Sequence, residues 1–109
     1  MLLNDPTYFE AARVFATRLI QEGGESTGSR LELAFELAVA RQPASREAEV
    51  LTDYLVSQKE RYASDEEAAK KITSAGEHPQ PEDIEVAELA AWTSVSRVIL
   101  NLHETITRN

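Results

Sequence analysis

The chain has 109 residues, of which 42% are hydrophobic and 28% charged, and its formal net charge at pH 7 is −8. This length fits one compact domain, and the negative charge disfavours nucleic-acid binding and docking on an anionic membrane, because both need a basic face. The absence of cysteine excludes disulfides, thiolate catalysis, cysteine-ligated zinc and covalent haem attachment within this chain.

The first predicted helix covers about residues 6–22. Asp5 suits the N-cap position and Pro6 the first helical position, where its missing N–H costs nothing. Gly23 and Gly24 predict the end, because glycine accepts the left-handed conformation that follows many helices. The face expected to be buried comprises Phe9, Ala12, Ala16, Leu19 and Ile20, with Tyr8 and Phe15 beside it.

The second predicted helix covers about residues 30–41. Ser29 and Glu32 fit a capping box at its start, and Pro43 disfavours helical conformation just before it. Two faces are apolar, which predicts burial between neighbouring helices. One face is Leu31, Ala34, Phe35 and Ala38, and the other includes Leu33, Leu37 and Ala40.

The third predicted helix covers about residues 46–63, with Ser45 as its N-cap. The short connection at Pro43 and Ala44 favours an antiparallel hairpin of the second and third helices. The face expected to be buried is Val50, Leu51, Tyr54, Leu55, Gln58 and Tyr62.

The fourth predicted helix is short, about residues 65–75, and Ser64 with Glu67 fits a second capping box. Its inward residues are predicted to be Ala68, Ala69 and Ile72. Gly76 ends this helix, and a proline-rich segment follows.

The last predicted helix covers about residues 84–107, with Glu82 or Asp83 as its cap. Its apolar stripe steps by three and four residues: Trp92, Val95, Ile99, Leu102 and Ile106. Two further apolar residues outside the stripe, Val98 and Leu100, favour neighbours on more than one side. The whole sequence therefore predicts an all-α fold, a single domain over residues 1–109 in which about five helices form an antiparallel bundle around a long C-terminal helix.

The sequence offers no set of residues typical of catalysis. His78 lies in the proline-rich segment and His103 near the end of the last helix, and neither has the partners of a nucleophilic triad. Acidic residues gather at helix starts, where capping and the helix dipole explain them. No apolar run approaches the roughly 20 residues that span a bilayer. We therefore expect no catalytic, cofactor-binding or metal-binding residue and no membrane insertion.

Four residues are candidates for a docking or scaffold role. Trp92 is expected to be a core residue, with a ligand platform as the alternative. Asn101 lies between two leucines and is expected to bond to a neighbouring helix end. Tyr8 and Phe15 are expected to form an exposed apolar patch near the N-terminal turn.

Several segments together resemble one family. They are residues 2–13 (LLNDPTYFEAAR), residues 34–43 followed by Glu47, residues 88–93 (ELAAWT) and residues 97–108. In this order they are similar to the C-terminal end of planctomycete multidomain proteins that carry the domain of unknown function 1553, also called PSD1. The resemblance implies a C-terminal part of a large exported protein, in which any haem c would belong to another domain. The family has no established activity, so it supplies no catalytic residues.

Three functions remain open on this basis. The first is a structural or interaction module that packs on upstream domains of the same polypeptide. The second is a contribution to an enzyme site, in polysaccharide breakdown or redox chemistry, that upstream domains complete. The third is a protein–protein adaptor whose acidic surface attracts a basic partner. The chain by itself is not expected to be an enzyme.

Overall fold

A computed structural model describes the backbone of residues 6–73 and 84–107, and the side chains of residues 10–73 and 84–102. These residues form five helices and no strand. The helices are α1 (Pro6–Glu22), α2 (Thr27–Val39), α3 (Ser45–Ser64), α4 (Glu66–Thr73) and α5 (Val86–Thr107). The predicted all-α bundle is confirmed.

Helix α5 is the centre of the bundle, as its length and apolar pattern predict. It contacts each of the other four helices, most extensively α1 and then α3 and α4. Every residue of α5 from Leu89 to Ser96 is buried, so this part of the helix has neighbours on all sides.

Small residues make this crowding around α5 geometrically feasible. Ala87, Ala90 and Ala91 are buried in the first turns of α5, where short side chains let neighbouring backbones approach. The large residues of the stripe then fill the remaining space, since Trp92, Val95 and Ile99 are all 0% exposed. These side chains belong to one apolar cluster with Leu19, Leu31, Phe35, Leu51 and Leu55.

Two buried hydroxyl groups of α5 are satisfied within the helix itself. Thr93 Oγ1 donates to the carbonyl oxygen of Leu89 at 2.7 Å, and Ser94 Oγ donates to that of Ala90 at 3.2 Å. Polar residues can therefore lie in this interior without a partner from another helix.

The end of α1 is the glycine stop that the sequence predicts. Gly23 N–H donates to the carbonyl oxygen of Leu19 at 2.8 Å, and Gly24 has φ +84°, in the left-handed region that suits glycine. A Cβ atom on Gly24 would lie 2.8 Å from Ser29 Oγ, so space as well as conformation requires glycine here.

The predicted bounds of α2 are wrong at both ends. The N-cap is Ser26, whose hydroxyl oxygen accepts from Ser29 N–H at 3.0 Å. Ser29 is thus inside the first turn, and its own hydroxyl donates to the carbonyl oxygen of Gly23, so the predicted Ser29–Glu32 capping box does not exist. At the other end the helix stops at Val39, because Ala40 adopts the left-handed conformation with φ 58°.

The predicted caps of α3 and α4 are also wrong. Ala44, and not Ser45, precedes α3, and its N–H donates to the side chain of Glu47. The cap of α4 is Asp65, which accepts from Ala68 N–H at 3.1 Å. Ser64 belongs to α3 and donates back to carbonyl oxygens of that helix. A carboxylate competes well for these amide protons because it is charged.

Helix α5 begins at Val86, two residues later than predicted, so Glu85 precedes it where Glu82 or Asp83 was expected. Those two residues lie outside the described part of the chain. The predicted end at residue 107 is confirmed.

Part of the predicted core is exposed. Val50 is 48% and Leu37 39% exposed, although both were assigned to buried faces. The buried residues of α3 are Leu51, Leu55, Gln58 and Tyr62, which leaves Val50 and Tyr54 at the side of the contact face. Leu37 is exposed because the buried side of α2 is Leu31, Ala34, Phe35 and Ala38 alone.

Replacing Trp92 with alanine is expected to lower the free energy of unfolding by about 3–5 kcal/mol, because a fully buried indole leaves a large cavity. Urea unfolding followed by circular dichroism measures this loss. The matched control is Val98→Ala on the same helix, where the side chain is 38% exposed and the expected loss is below about 1 kcal/mol. A loss below 1 kcal/mol for Trp92→Ala would contradict a core role.

Candidate functional site

The structure places the four candidate docking or scaffold residues in different environments. Trp92 is fully buried, so its indole is a core element that a partner cannot reach on the folded chain. Phe15 is half-buried and packs against the main apolar cluster. Asn101 is exposed on α5. The side chain of Tyr8 lies outside the described residues, so the predicted patch of Tyr8 and Phe15 stays a prediction.

Arg30 lies beside the buried Trp92 and forms hydrogen bonds to two other helices. Its guanidinium carbon lies 5.7 Å from the centre of the Trp92 ring, and Nη1 donates to Glu88 Oε1 on α5 at 2.9 Å. The same side chain donates to the carbonyl oxygens of Gly24 at 2.8 Å and Ile20 at 3.4 Å. One side chain therefore connects α2, the end of α1 and α5.

A second arginine closes the turn between α2 and α3. Arg41 Nη1 and Nη2 donate to Glu47 Oε1 and Oε2 at 2.8 and 2.9 Å, a bidentate pair. Glu47 Oε1 also accepts from the Ala44 N–H at 2.8 Å. The guanidinium carbon of Arg41 lies 5.4 Å from the centre of the buried Phe35 ring, which attaches the turn to the core.

These contacts determine the charge of Glu47. The hydrogen bonds from Arg41, then that from the Ala44 N–H, together with the nearby positive charge, lower the pKa of Glu47 to about 2. The same pairing raises the pKa of Arg41. Glu47 is therefore a permanently ionised structural carboxylate at neutral pH.

A surface groove lies between α3 and α5 in the part of the chain that the structure describes. It is lined by Tyr54, Ser94, Arg97, Val98 and Asn101, and its cavity volume is about 190 Å³. We refer to these five residues as the α3–α5 groove. Tyr54 is 36% and Val98 38% exposed. Val50 lies one helical turn before Tyr54 on α3, so it extends the apolar surface along that helix.

Sequence reasoning found only one residue of this groove. Asn101 was predicted to bond to a neighbouring helix end, and the structure places it in the groove wall. Tyr54 was assigned to the core, and Val98 was seen only as apolar surplus beyond the α5 stripe. That surplus was the available signal, because apolar residues outside a buried stripe must either meet another helix or remain exposed.

A metal site is another kind of site that the described residues could form. Among them, no three histidine or acidic residues are grouped so as to hold a metal ion. Asp65 caps α4, and Glu66 pairs with Lys70 at 3.4 Å. His78 and His103 lie outside the described side chains. Within the same part of the chain, no helix combines the length and apolarity that crossing a membrane requires.

Comparison with protein families supplies an assignment. The family model described as PSD1, a protein of unknown function (DUF1553), matches residues 1–55, which is just over half of the chain. The chain belongs to the PSD1 family. A search of curated proteins and a search of solved structures each found no significant match.

The PSD1 match covers α1, α2 and the first half of α3. It includes Arg30 and the Arg41–Glu47 pair. The two arginines at the centres of these hydrogen-bond networks, which we call the two arginine clusters, therefore lie in the part that the family model describes. Helix α5 lies outside the match, and its resemblance to the family stays a prediction. Arg41 and Glu47, which belong to one of the segments that carry the resemblance, serve the fold by closing the α2–α3 turn.

Replacing Arg30 with alanine is expected to lower the free energy of unfolding by about 2 kcal/mol, because Glu88 and two carbonyl oxygens lose a charged donor. Thermal and urea unfolding measure the loss. The control is Arg18→Ala, because the partner of Arg18 among the described residues is Glu22, at 3.4 Å on the surface. This variant should change stability by less than about 0.5 kcal/mol. Equal losses of stability in the two variants would show that the hydrogen bonds of Arg30 stabilise the fold no more than an exposed ion pair does.

Glu47→Gln is expected to destabilise the chain at pH 7 and to have little effect near pH 2. The folded pKa of about 2 is below the ordinary value of 4.5, so the ionised carboxylate stabilises the folded state. This contribution is complete above pH 4.5 and disappears as the pH falls from 4.5 towards 2. Urea unfolding of the wild type and of Glu47→Gln at pH 7, 4 and 2.5 measures this contribution to stability.

Glu49→Gln is the matched control for Glu47→Gln. Glu49 lies on the same helix, is more exposed and is 3.9 Å from Arg46, so its replacement should change stability little at any pH. If the difference between wild type and Glu47→Gln is independent of pH, the pairing does not hold the pKa of Glu47 down.

Proposed function

We propose that this PSD1 chain is a helical structural and interaction module that packs on another domain through the α3–α5 groove. The parent protein is proposed to be larger and exported, as the family resemblance implies, with this chain as its C-terminal domain. The observation that carries the proposal is the presence of two exposed large apolar side chains, Tyr54 and Val98, in one groove, with exposed Val50 one turn before Tyr54 on α3.

The construction of the groove supports docking. Its α5 wall belongs to the helix that all other helices contact, so binding would require little ordering of the backbone. Tyrosine and arginine, both present in the wall, are the residue types that most often contribute binding energy at protein interfaces. Removal of apolar surface from water is favourable, so burial of Tyr54 and Val98 by a partner would stabilise a complex.

One observation favours a contribution to an enzyme site as a second candidate. Three residues with polar side chains, Ser94, Arg97 and Asn101, line the same cavity, and several polar residues in one cavity are typical of ligand sites. In this alternative, an upstream domain supplies the reactive groups. A docking role needs no such additional groups, and we therefore place it first. The adaptor function differs from it only in the partner, which would be a separate protein.

The docking proposal is tested with two separately expressed proteins: this chain and the polypeptide that precedes it in the reading frame. Isothermal titration calorimetry is expected to detect association of the two, and Tyr54→Glu is expected to weaken it at least about tenfold by placing a charge in an apolar interface. The matched control is Val56→Glu, on the same helix, where the side chain is 51% exposed and does not line the groove.

Circular dichroism must show that both glutamate variants keep the helical fold of the wild type. Association that Val56→Glu and Tyr54→Glu weaken equally would exclude the groove as the interface. A reading frame that encodes nothing before this chain would remove the proposed partner and leave the adaptor function. Turnover of a polysaccharide or redox substrate that depends on Ser94 or Asn101 would favour the enzyme alternative instead.

A further inference from the structure

We infer that the occupant of the α3–α5 groove is an amphipathic helix that inserts apolar side chains between Tyr54 and Val98 and places one carboxylate on Arg97. This inference rests on the proposed docking function and adds the secondary structure and charge of the partner segment.

The shape of the groove favours a helix as the occupant. Both walls are helices, and the α5 wall presents Ser94, Val98 and Asn101 at spacings of four and three residues, on one side of the helix. The seven steps from Ser94 to Asn101, at 1.5 Å each, give a wall about 10 Å long, or two helical turns. The described residues include no strand to which an extended peptide could add, whereas a helix can pack its side chains into a groove between two helices.

The centre of the groove requires apolar side chains. Tyr54 lines it from α3 and Val98 from α5, and exposed Val50 lies one turn before Tyr54 on α3. Its cavity volume of about 190 Å³ suits one branched aliphatic or aromatic side chain, since an apolar cavity of about 150 Å³ accepts benzene. An occupant helix would therefore present a large apolar residue here, with smaller apolar residues one turn away.

The charge of the wall defines the polar part of the occupant. Arg97 is the charged residue among the five that line the groove, and its side chain is partly exposed. A guanidinium has five N–H donors, so Arg97 can keep a contact within its own chain and still bind a carboxylate. The Asn101 amide, one turn further along α5, can donate to the same carboxylate.

The net charge of the chain limits this carboxylate to one position. At a net charge of −8, the chain repels a strongly acidic helix except where Arg97 offsets the repulsion. The same repulsion disfavours a second copy of this chain as the occupant. The expected partner segment thus has a single carboxylate within its contact face and no excess negative charge around it.

The inference is tested with a displayed library of 18-residue amphipathic helices, selected for binding to the intact chain. The library varies the apolar residues of one stripe and every position beside it. Selected peptides are expected to share an aspartate or glutamate at one fixed position beside the stripe. A synthetic peptide of this kind and its twin with glutamine at that position are then compared by fluorescence anisotropy.

The glutamine twin is expected to bind roughly tenfold more weakly to the wild-type chain, the loss of one charge-assisted hydrogen-bonded pair. On Arg97→Gln the two peptides should bind alike. Tyr54→Glu should abolish binding of both, and Val56→Glu should leave it unchanged. Because the peptide twins are compared on the unmodified chain, the test still decides if Arg97→Gln is poorly folded.

Each other result overturns the inference in a distinguishable way. Peptides that depend on Tyr54 but share no carboxylate would exclude the charge assignment and leave the groove as a docking surface. A library without any peptide sensitive to Tyr54→Glu would exclude a helical occupant, while the association measurement with the preceding polypeptide judges the proposed function separately. A dimer in gel filtration that Tyr54→Glu dissociates would identify a second copy as the occupant.

Discussion

The burial of α5 on all sides is the constraint on which the rest of this structure depends. A helix that four others contact needs small side chains where they come close, and α5 supplies alanines at 87, 90 and 91. It also needs large side chains where space remains, and Trp92 and Ile99 fill it. Since interiors are close-packed, neither set can change without the other, and the remaining helices take their positions from this one.

The two arginine clusters orient the outer helices on this centre. Arg30 connects the end of α1 to α5 beside Trp92, and Arg41 with Glu47 closes the turn from α2 to α3 over Phe35. Both use a planar guanidinium with several donors, which lysine cannot reproduce. Arg30, Arg41 and Glu47, which lie in the part that the PSD1 model matches, therefore have structural roles, whereas the groove combines Tyr54 of that part with residues of α5 outside it.

The groove follows from the same packing. Helix α5 turns Trp92, Val95 and Ile99 towards its neighbours, which leaves Val98 and Asn101 on the side that α3 covers only partly. Tyr54 likewise stays partly exposed, because it lies at the side of the buried face of α3. Exposed apolar residues on firmly held helices are well suited to a partner, because little conformational entropy is lost on binding. This is the physical link between the fold and the proposed docking function.

The sequence by itself determined the five helices, the central stripe of α5, the glycine stop after α1 and one of the two predicted buried faces of α2, because these depend on local periodicity and backbone conformation. It could not choose between competing caps, since Ser26 and Ser29, or Ser64 and Asp65, are equally plausible until the neighbouring groups are placed. It also could not separate Val50 and Tyr54 from the core, because an apolar residue at the edge of a stripe is buried only if another helix reaches it. Tertiary structure alone decided that no helix of the described residues covers these two side chains fully, and so created the groove.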